Sequence, residues 1–336
     1  CVPVCTSAHG IAGNDREAAS TALFILALIS VVMTSICVIT TCSRRSENRS
    51  FPETALLNCA VAFAGSSFVY LMSLLFREQI SCTSYASHQL FIVSAVSHVP
   101  CSTAAVLLYY FGTAGRLWWL ILACSWHSAA SSNGTMERIR PHIELLAWAV
   151  PLVAVMASLI SKSISADPLS GICYVGATSK LLDSVFNLLR EVIVVVACSV
   201  PLLVGCLVRV GRPTVGQPQP GTSSCYGIIG GLYPVAALFY MLSFGHDVVQ
   251  PSLAWHRSWN LVSAIKILID PILGVIAACA CFITLLFFVF SSYRSPLNSK
   301  AGYVPAVPRI PQPAVPTGNP CSVHTYTSTP RNNTIM

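Results

Sequence analysis

Seven stretches of 17 to 31 mostly apolar residues, with polar segments between them, constrain this chain more than any motif it carries. A hydrocarbon layer offers backbone N–H and C=O groups no water, so a run that enters it must close its own hydrogen bonds as a helix. About 20 residues, at roughly 1.5 Å each, cross such a layer. The runs are Thr21 to Thr41, Ala55 to Phe76, Ser102 to Ala130, Ile143 to Ile160, Val185 to Val208, Ile228 to Phe244 and Asn260 to Phe290. A further apolar stretch, Leu90 to Val99, reaches only about 15 Å as a helix and stops at Pro100, so it reads as an outer extension and not an eighth span. Only 9% of the 336 residues are charged and the mean hydropathy is +0.68. So few ions leave a water-soluble surface uncovered, which excludes a soluble enzyme. The expected fold is an all-α integral membrane protein, a seven-helix bundle over residues 21–290.

Charge sets the orientation. With the N-terminus outside, the inner segments hold eleven of the nineteen Lys and Arg residues, including Arg44, Arg45 and Arg49 in the first inner loop, and the outer segments hold five. The sequons at Asn48, Asn133 and Asn332 then fall on the inner side and are expected to stay unglycosylated. The net charge of +7 belongs to this orientation, because no basic run is interleaved with aromatics as a nucleic-acid surface requires. The chain opens at Cys1 with no Met and no basic leader, and reads as a processed or excerpted sequence. From residue 291 the composition turns to Pro, Ser, Thr and Asn, as in AVPRIPQPAVPTGNP, and predicts a disordered inner tail over 291–336. Its end, Thr334, Ile335 and Met336, has the hydroxyl, any residue, apolar pattern that a PDZ groove takes up as an added strand.

Five of the fifteen cysteines, Cys1, Cys5, Cys82, Cys101 and Cys173, fall on the oxidising side. Four of them make two bridges, and Cys1 is the simplest odd one. Cys37, Cys59, Cys124 and Cys279 read as small apolar packing residues. No Cys and His spacing suits zinc, and no cofactor is expected. His88, His98 and His246 fall in outer loops and His127 at an inner end, so no His and carboxylate pair converges in the membrane and no catalytic residue is expected. Ionised groups inside a span are functional candidates by default. Arg116 lies fifteen residues beyond Cys101, roughly 22 Å into the third helix. Lys266 and Asp270 are four apart and share a face of the seventh. A local Lys266–Asp270 pair with Arg116 snorkelling to the headgroups is the ordinary expectation, and an Asp270–Arg116 lock between helices is the sharper alternative. Arg190 and Glu191, being adjacent, diverge around their helix and read as rim residues.

The third run carries LLYYFGTAGRLWWLILACSW, Leu107 to Trp126, with a Trp pair and a third Trp seven residues on. Physically, Trp118, Trp119 and Trp126 are packing residues or interface anchors. The string resembles the third helix of the Frizzled and Smoothened receptors, the class F G-protein-coupled receptors. The resemblance continues through ELLAWAVP, Glu144 to Pro151, and DPLSGICYVG, Asp167 to Gly176. It touches FPE at Phe51 to Glu53 and IK at Ile265 and Lys266, weakens in the fifth and sixth helices and is absent from the tail.

This resemblance implies a multi-pass plasma-membrane receptor whose Cys-rich outer domain binds Wnt lipoproteins and whose inner face recruits Dishevelled or a G protein. It also implies a disulfide from the top of the third helix to the second outer loop, Cys101 with Cys173, which leaves Cys5 with Cys82. Residues 1–20 would be an outer segment left from the linker to a Cys-rich domain, and no residue here is assigned to Wnt capture. After the seventh helix the family has Lys then Thr, with a Trp four residues after the Thr. Leu285, Leu286 and Phe290 stand there in one register, and Tyr293, Arg294 and Asn298 in the other. Ile228 stands where a basic residue opens the family's sixth helix. The expected function is therefore a Frizzled-like Wnt receptor with weakened Dishevelled coupling, its cationic inner face kept at Arg44, Arg45 and Arg49. A coupling-impaired decoy or modulator is the alternative. A multi-pass transporter is a second, although internal repeats and broken paired helices are missing.

Overall fold

The computed structural model describes residues 13–43, 50–85, 88–91, 98–131, 135–167, 169–177, 179–211, 220–249 and 261–301. Among them, seven helices are long and apolar enough to cross a membrane. In order these are α1 (Gly13–Cys42), α2 (Phe51–Leu75), α4 (Val99–Ala130), α6 (Arg140–Ile160), the span formed by α7 (Lys180–Asp183), a π-turn (Ser184–Leu188) and α8 (Leu189–Gly211), then α9 (Pro220–Val249) and α10 (Leu261–Ala301). Two short helices, α3 (Arg77–Ser81) and α5 (Thr135–Arg138), occupy connections. The seven-helix fold read from hydropathy is the fold of the chain.

The helix ends differ from the apolar runs, and for a physical reason. Extending a nucleated helix costs far less than starting one, so helices run past the oily residues into polar sequence. α1 begins at Gly13, well before Thr21, with Asp15 in its first turn where the helix dipole favours an anion. The fifth span begins at Lys180 and not Val185. α10 continues to Ala301, past residue 291 where the tail was expected to start, and the rest of that tail lies outside the described residues; residues 292–336 count as a unit distinct from 1–291. Prolines sit where they do least harm at several starts. Pro52, Pro100 and Pro141 occupy first turns, where their missing N–H has no acceptor to lose. The Ser50 N–H donates to Glu53 Oε2 at 3.2 Å, closing the start of α2.

α4 is the axle of the bundle, packed on α2, α6, α8 and α9. Its Trp residues fill the core: Trp118 packs tilted against Trp148 at 5.9 Å and Trp119 tilted against Tyr233 at 6.0 Å between ring centroids. Glycines admit these rings. A Cβ on Gly115 would come within 2.8 Å of the Phe63 ring, and one on Gly227 within 2.6 Å of Trp126. By contrast Leu145, Val153, Leu203 and Leu207 on α6 and α8 are exposed, as a face turned to lipid requires.

Two antiparallel hairpins lie on the outer side. β1 (Cys82–Tyr85) pairs with β2 (His88–Phe91), so the start of the extra apolar stretch is a strand, its end at Val99 opens α4, and residues 92–97 lie outside the described residues. β3 (Ile164–Ala166) pairs with β4 (Cys173–Val175) and is almost wholly buried. The motif at Asp167 to Gly176 supplies the turn and second strand of this hairpin. Asp167 Oδ2 accepts from the Ser170 N–H and Oγ, both at 2.8 Å, and Gly171 adopts a φ of +72° that a side chain would strain. A disulfide from Cys101 to Cys173, with Cα atoms 5.5 Å apart, ties β4 to the top of α4.

Candidate functional site

Beneath the β3–β4 hairpin the bundle gathers six ionised side chains from α4, the fifth span and α10, of which Arg116, Asp183 and Glu191 are buried and Arg190, Lys266 and Asp270 partly so. Arg116, one turn below Gly112 on α4, is only 1% exposed. Its Nε pairs with Glu191 Oε1, itself 1% exposed, its Nη2 pairs with Asp270 Oδ1 at 2.7 Å, and its Nη1 donates to the Gly112 carbonyl at 2.9 Å. The Tyr233 hydroxyl donates to Glu191 Oε2 at 2.8 Å, and Tyr70 donates to Asp270 Oδ2 at 3.4 Å. Arg190 reaches Glu191 at 3.0 Å and Thr113 at 3.2 Å, with its guanidinium 5.1 Å over the Tyr109 ring. Nearer the outer face, Lys266 Nζ pairs with Asp183 Oδ2 at 2.5 Å and lies 4.6 Å over the Phe244 ring. Three cations meet three carboxylates, so the cluster is electroneutral, and that balance is what makes burial of so many charges tolerable.

The Asp270–Arg116 pair is the sharper of the two sequence expectations, and four placements differ from the ordinary one. Arg116 does not snorkel; its guanidinium is held at the centre of the cluster by carboxylates on two other helices. Lys266 pairs across the bundle with Asp183 while Asp270, its neighbour one turn on, is taken by Arg116. Glu191 is a buried partner and not a rim residue, and Arg190 bends back to the same carboxylate. Asp183 was not singled out from the sequence at all. The signal for Glu191 was present, since it lies within an apolar run that predicts a span. The signal for Asp183 was not, because it lies at the run's polar edge.

A cavity of about 70 Å³ separates the cluster from the hairpin, with room for a few water molecules. Tyr109, Tyr240, Ile267 and Leu108 wall it from the helices, and Ser170, Ile172 and Tyr174 close it from the hairpin. Asn187 links the two layers by donating to Asp183 Oδ1 at 2.7 Å and to the Val175 carbonyl at 2.9 Å. Arg77 on α3 packs against Gly171 of the hairpin. Burial pushes its guanidinium down to about 10, with repulsion from Arg16 adding to the effect. Cys82 is disulfide-bonded, and Cys5, its expected partner, lies outside the described residues. So do Arg44, Arg45 and Arg49, and Thr334, Ile335 and Met336. Leu285 and Leu286 lie on α10, as do Phe290, Tyr293, Arg294 and Asn298, of whose side chains nothing is described.

Seven apolar helices, capped by a disulfide-tied hairpin over a polar core, define a multi-pass integral membrane protein. Residues 11–217 match the Frizzled family, described as the Frizzled/Smoothened family membrane region, and the chain belongs to that family. Frizzled-4 of Rattus norvegicus is 33% identical over 139 residues, covering 40% of this chain and 26% of the relative. Frizzled-10 of Homo sapiens is 28% identical over 183 residues, covering 53% of this chain and 31% of the relative. The chain thus spans about a quarter to a third of the length of the curated relatives it matches.

Proposed function

We propose that this chain is the membrane-spanning part of a Wnt-type receptor at the plasma membrane, which passes the state of its outer face to effectors inside the cell. The observation that supports this reading most is family membership across the first five spans, the stretch that contains α4 and the β3–β4 hairpin. The arrangement also suits the task, because the hairpin, the cavity and the charge cluster form one continuous path from the outer surface into α4, α8 and α10.

The inner side carries the finer part of the proposal. Neither Leu285, Leu286 and Phe290 nor Tyr293, Arg294 and Asn298 supplies a Lys and a Trp together. The basic loop with Arg44, Arg45 and Arg49 offers charge without a shaped pocket, so recruitment of Dishevelled is weak. The experiment expresses the full-length protein in cells lacking Frizzled receptors, at surface levels matched to a motif-bearing relative. A Wnt-responsive reporter is expected to be restored in part, with membrane-recruited Dishevelled well below the relative's level. Equal recruitment sinks the weak-coupling proposal, and no reporter response at full surface delivery sinks the receptor reading in favour of a decoy.

A further inference from the structure

The fifth span is not a uniform α-helix. Ser184–Leu188 form a π-turn, closed by the Leu189 N–H on the Ser184 carbonyl. Such a turn holds one residue more than an α-turn. Its consequence lies in phase. Each α-helical residue advances about 100°, so residues eight apart differ by about 80° around the axis, whereas residues seven apart differ by only about 20°. Asp183 and Glu191 are eight apart and flank the π-turn. With one residue absorbed there, they behave as a seven-residue pair and share a face. Lys266 and Asp270 share a face of α10, so Asp183 meets Lys266 while Glu191 meets Arg116, which Asp270 also holds.

The π-turn is gripped from two sides. Tyr109 of α4 donates its hydroxyl to the Phe186 carbonyl at 2.9 Å and packs edge-on to the Phe186 ring at 6.2 Å. Asn187 ties the same turn to the Val175 carbonyl on β4. An outer hairpin and a core helix thus both hold the one segment whose geometry sets the phase of everything after it.

We propose that Ser184–Leu188 is a two-state register switch. When Tyr109 lets go, the turn relaxes to α geometry, α8 rotates by about 100° and advances about 1.5 Å relative to Asp183, and Glu191 leaves Arg116. The Asn187–Val175 bond gives the outer hairpin its purchase on the setting, and the inner half of α8 is the output. The switch follows from geometry within the bundle and stands whether or not the ligand is a Wnt.

Hydrogen–deuterium exchange on the full chain in lipid nanodiscs tests it. Tyr109→Phe keeps the ring and removes the donor, a loss of about 1 kcal/mol, so amides from 185 to 192 are expected to exchange about fivefold faster while the inner end of α8 is unchanged. Deleting Val185, whose side chain is exposed, removes the extra residue and leaves one register, so the same amides are expected to exchange more slowly than in the wild-type chain. Unchanged exchange in Tyr109→Phe marks a static bulge and overturns the proposal, as does faster exchange in a folded deletion variant. If the deletion variant does not fold, the Tyr109→Phe comparison decides alone.

Discussion

Arg116 is the residue on which the site depends, and its two carboxylates set what substitution does. A cation buried in a span is tolerated only while its charge is matched and its N–H groups are bonded. Glu191→Gln leaves Arg116 with Asp270 alone, and Arg116→Gln leaves Glu191 and Asp270 facing each other without a shared cation. Each single substitution is expected to lower stability by about 3 kcal/mol. The double substitution Arg116→Gln with Glu191→Gln is expected to lose less than the sum, by about 1–3 kcal/mol, because the second change restores the balance of cations and carboxylates that the first upset. Thermal unfolding of the three variants in nanodiscs measures the coupling, and strictly additive losses would show that the two residues do not act together. Asp270 is 14% exposed, which predicts a smaller loss for Asp270→Asn than for Glu191→Gln.

The β3–β4 hairpin is the element that converts a set of helices into a closed outer face. Its own hydrogen bonds are few, so its position over the cavity rests on the Cys101–Cys173 bridge and on the Asp167 turn. Cys173→Ser is expected to remove about 2–4 kcal/mol and to leave the protein in the secretory pathway. Surface biotinylation against total protein checks it, and normal delivery of the variant would show that packing alone seats the hairpin. The sequence placed Cys173 on the oxidising side, and the family resemblance tied it to Cys101; that the loop folds as a hairpin around Asp167, Ser170 and Gly171 was not read from it. The π-turn was not legible: Ser184, Val185, Phe186, Asn187 and Leu188 have no composition that separates an α-turn from a π-turn, and only the partners on α4 and β4 choose between them.

For the whole molecule, the excess of Lys and Arg on one side makes a direct forecast. A tag placed after Met336 is expected to bind antibody only in permeabilised cells, and Asn133, between α4 and α6, is expected to remain unglycosylated; labelling of intact cells would reverse the orientation. Hydropathy and charge bias are sums over neighbours in the chain, which is why the number of spans, their order and their sides could be read from the residues directly. The partner of a buried charge is a different kind of quantity. Glu191 looked like a rim residue because adjacent residues diverge on a helix, and Lys266 looked like the partner of Asp270 because residues four apart converge. Both rules hold within one helix. What decided the pairing was the rotation of α8 fixed by the π-turn and the approach of Arg116 from α4, and a local sequence rule contains neither angle.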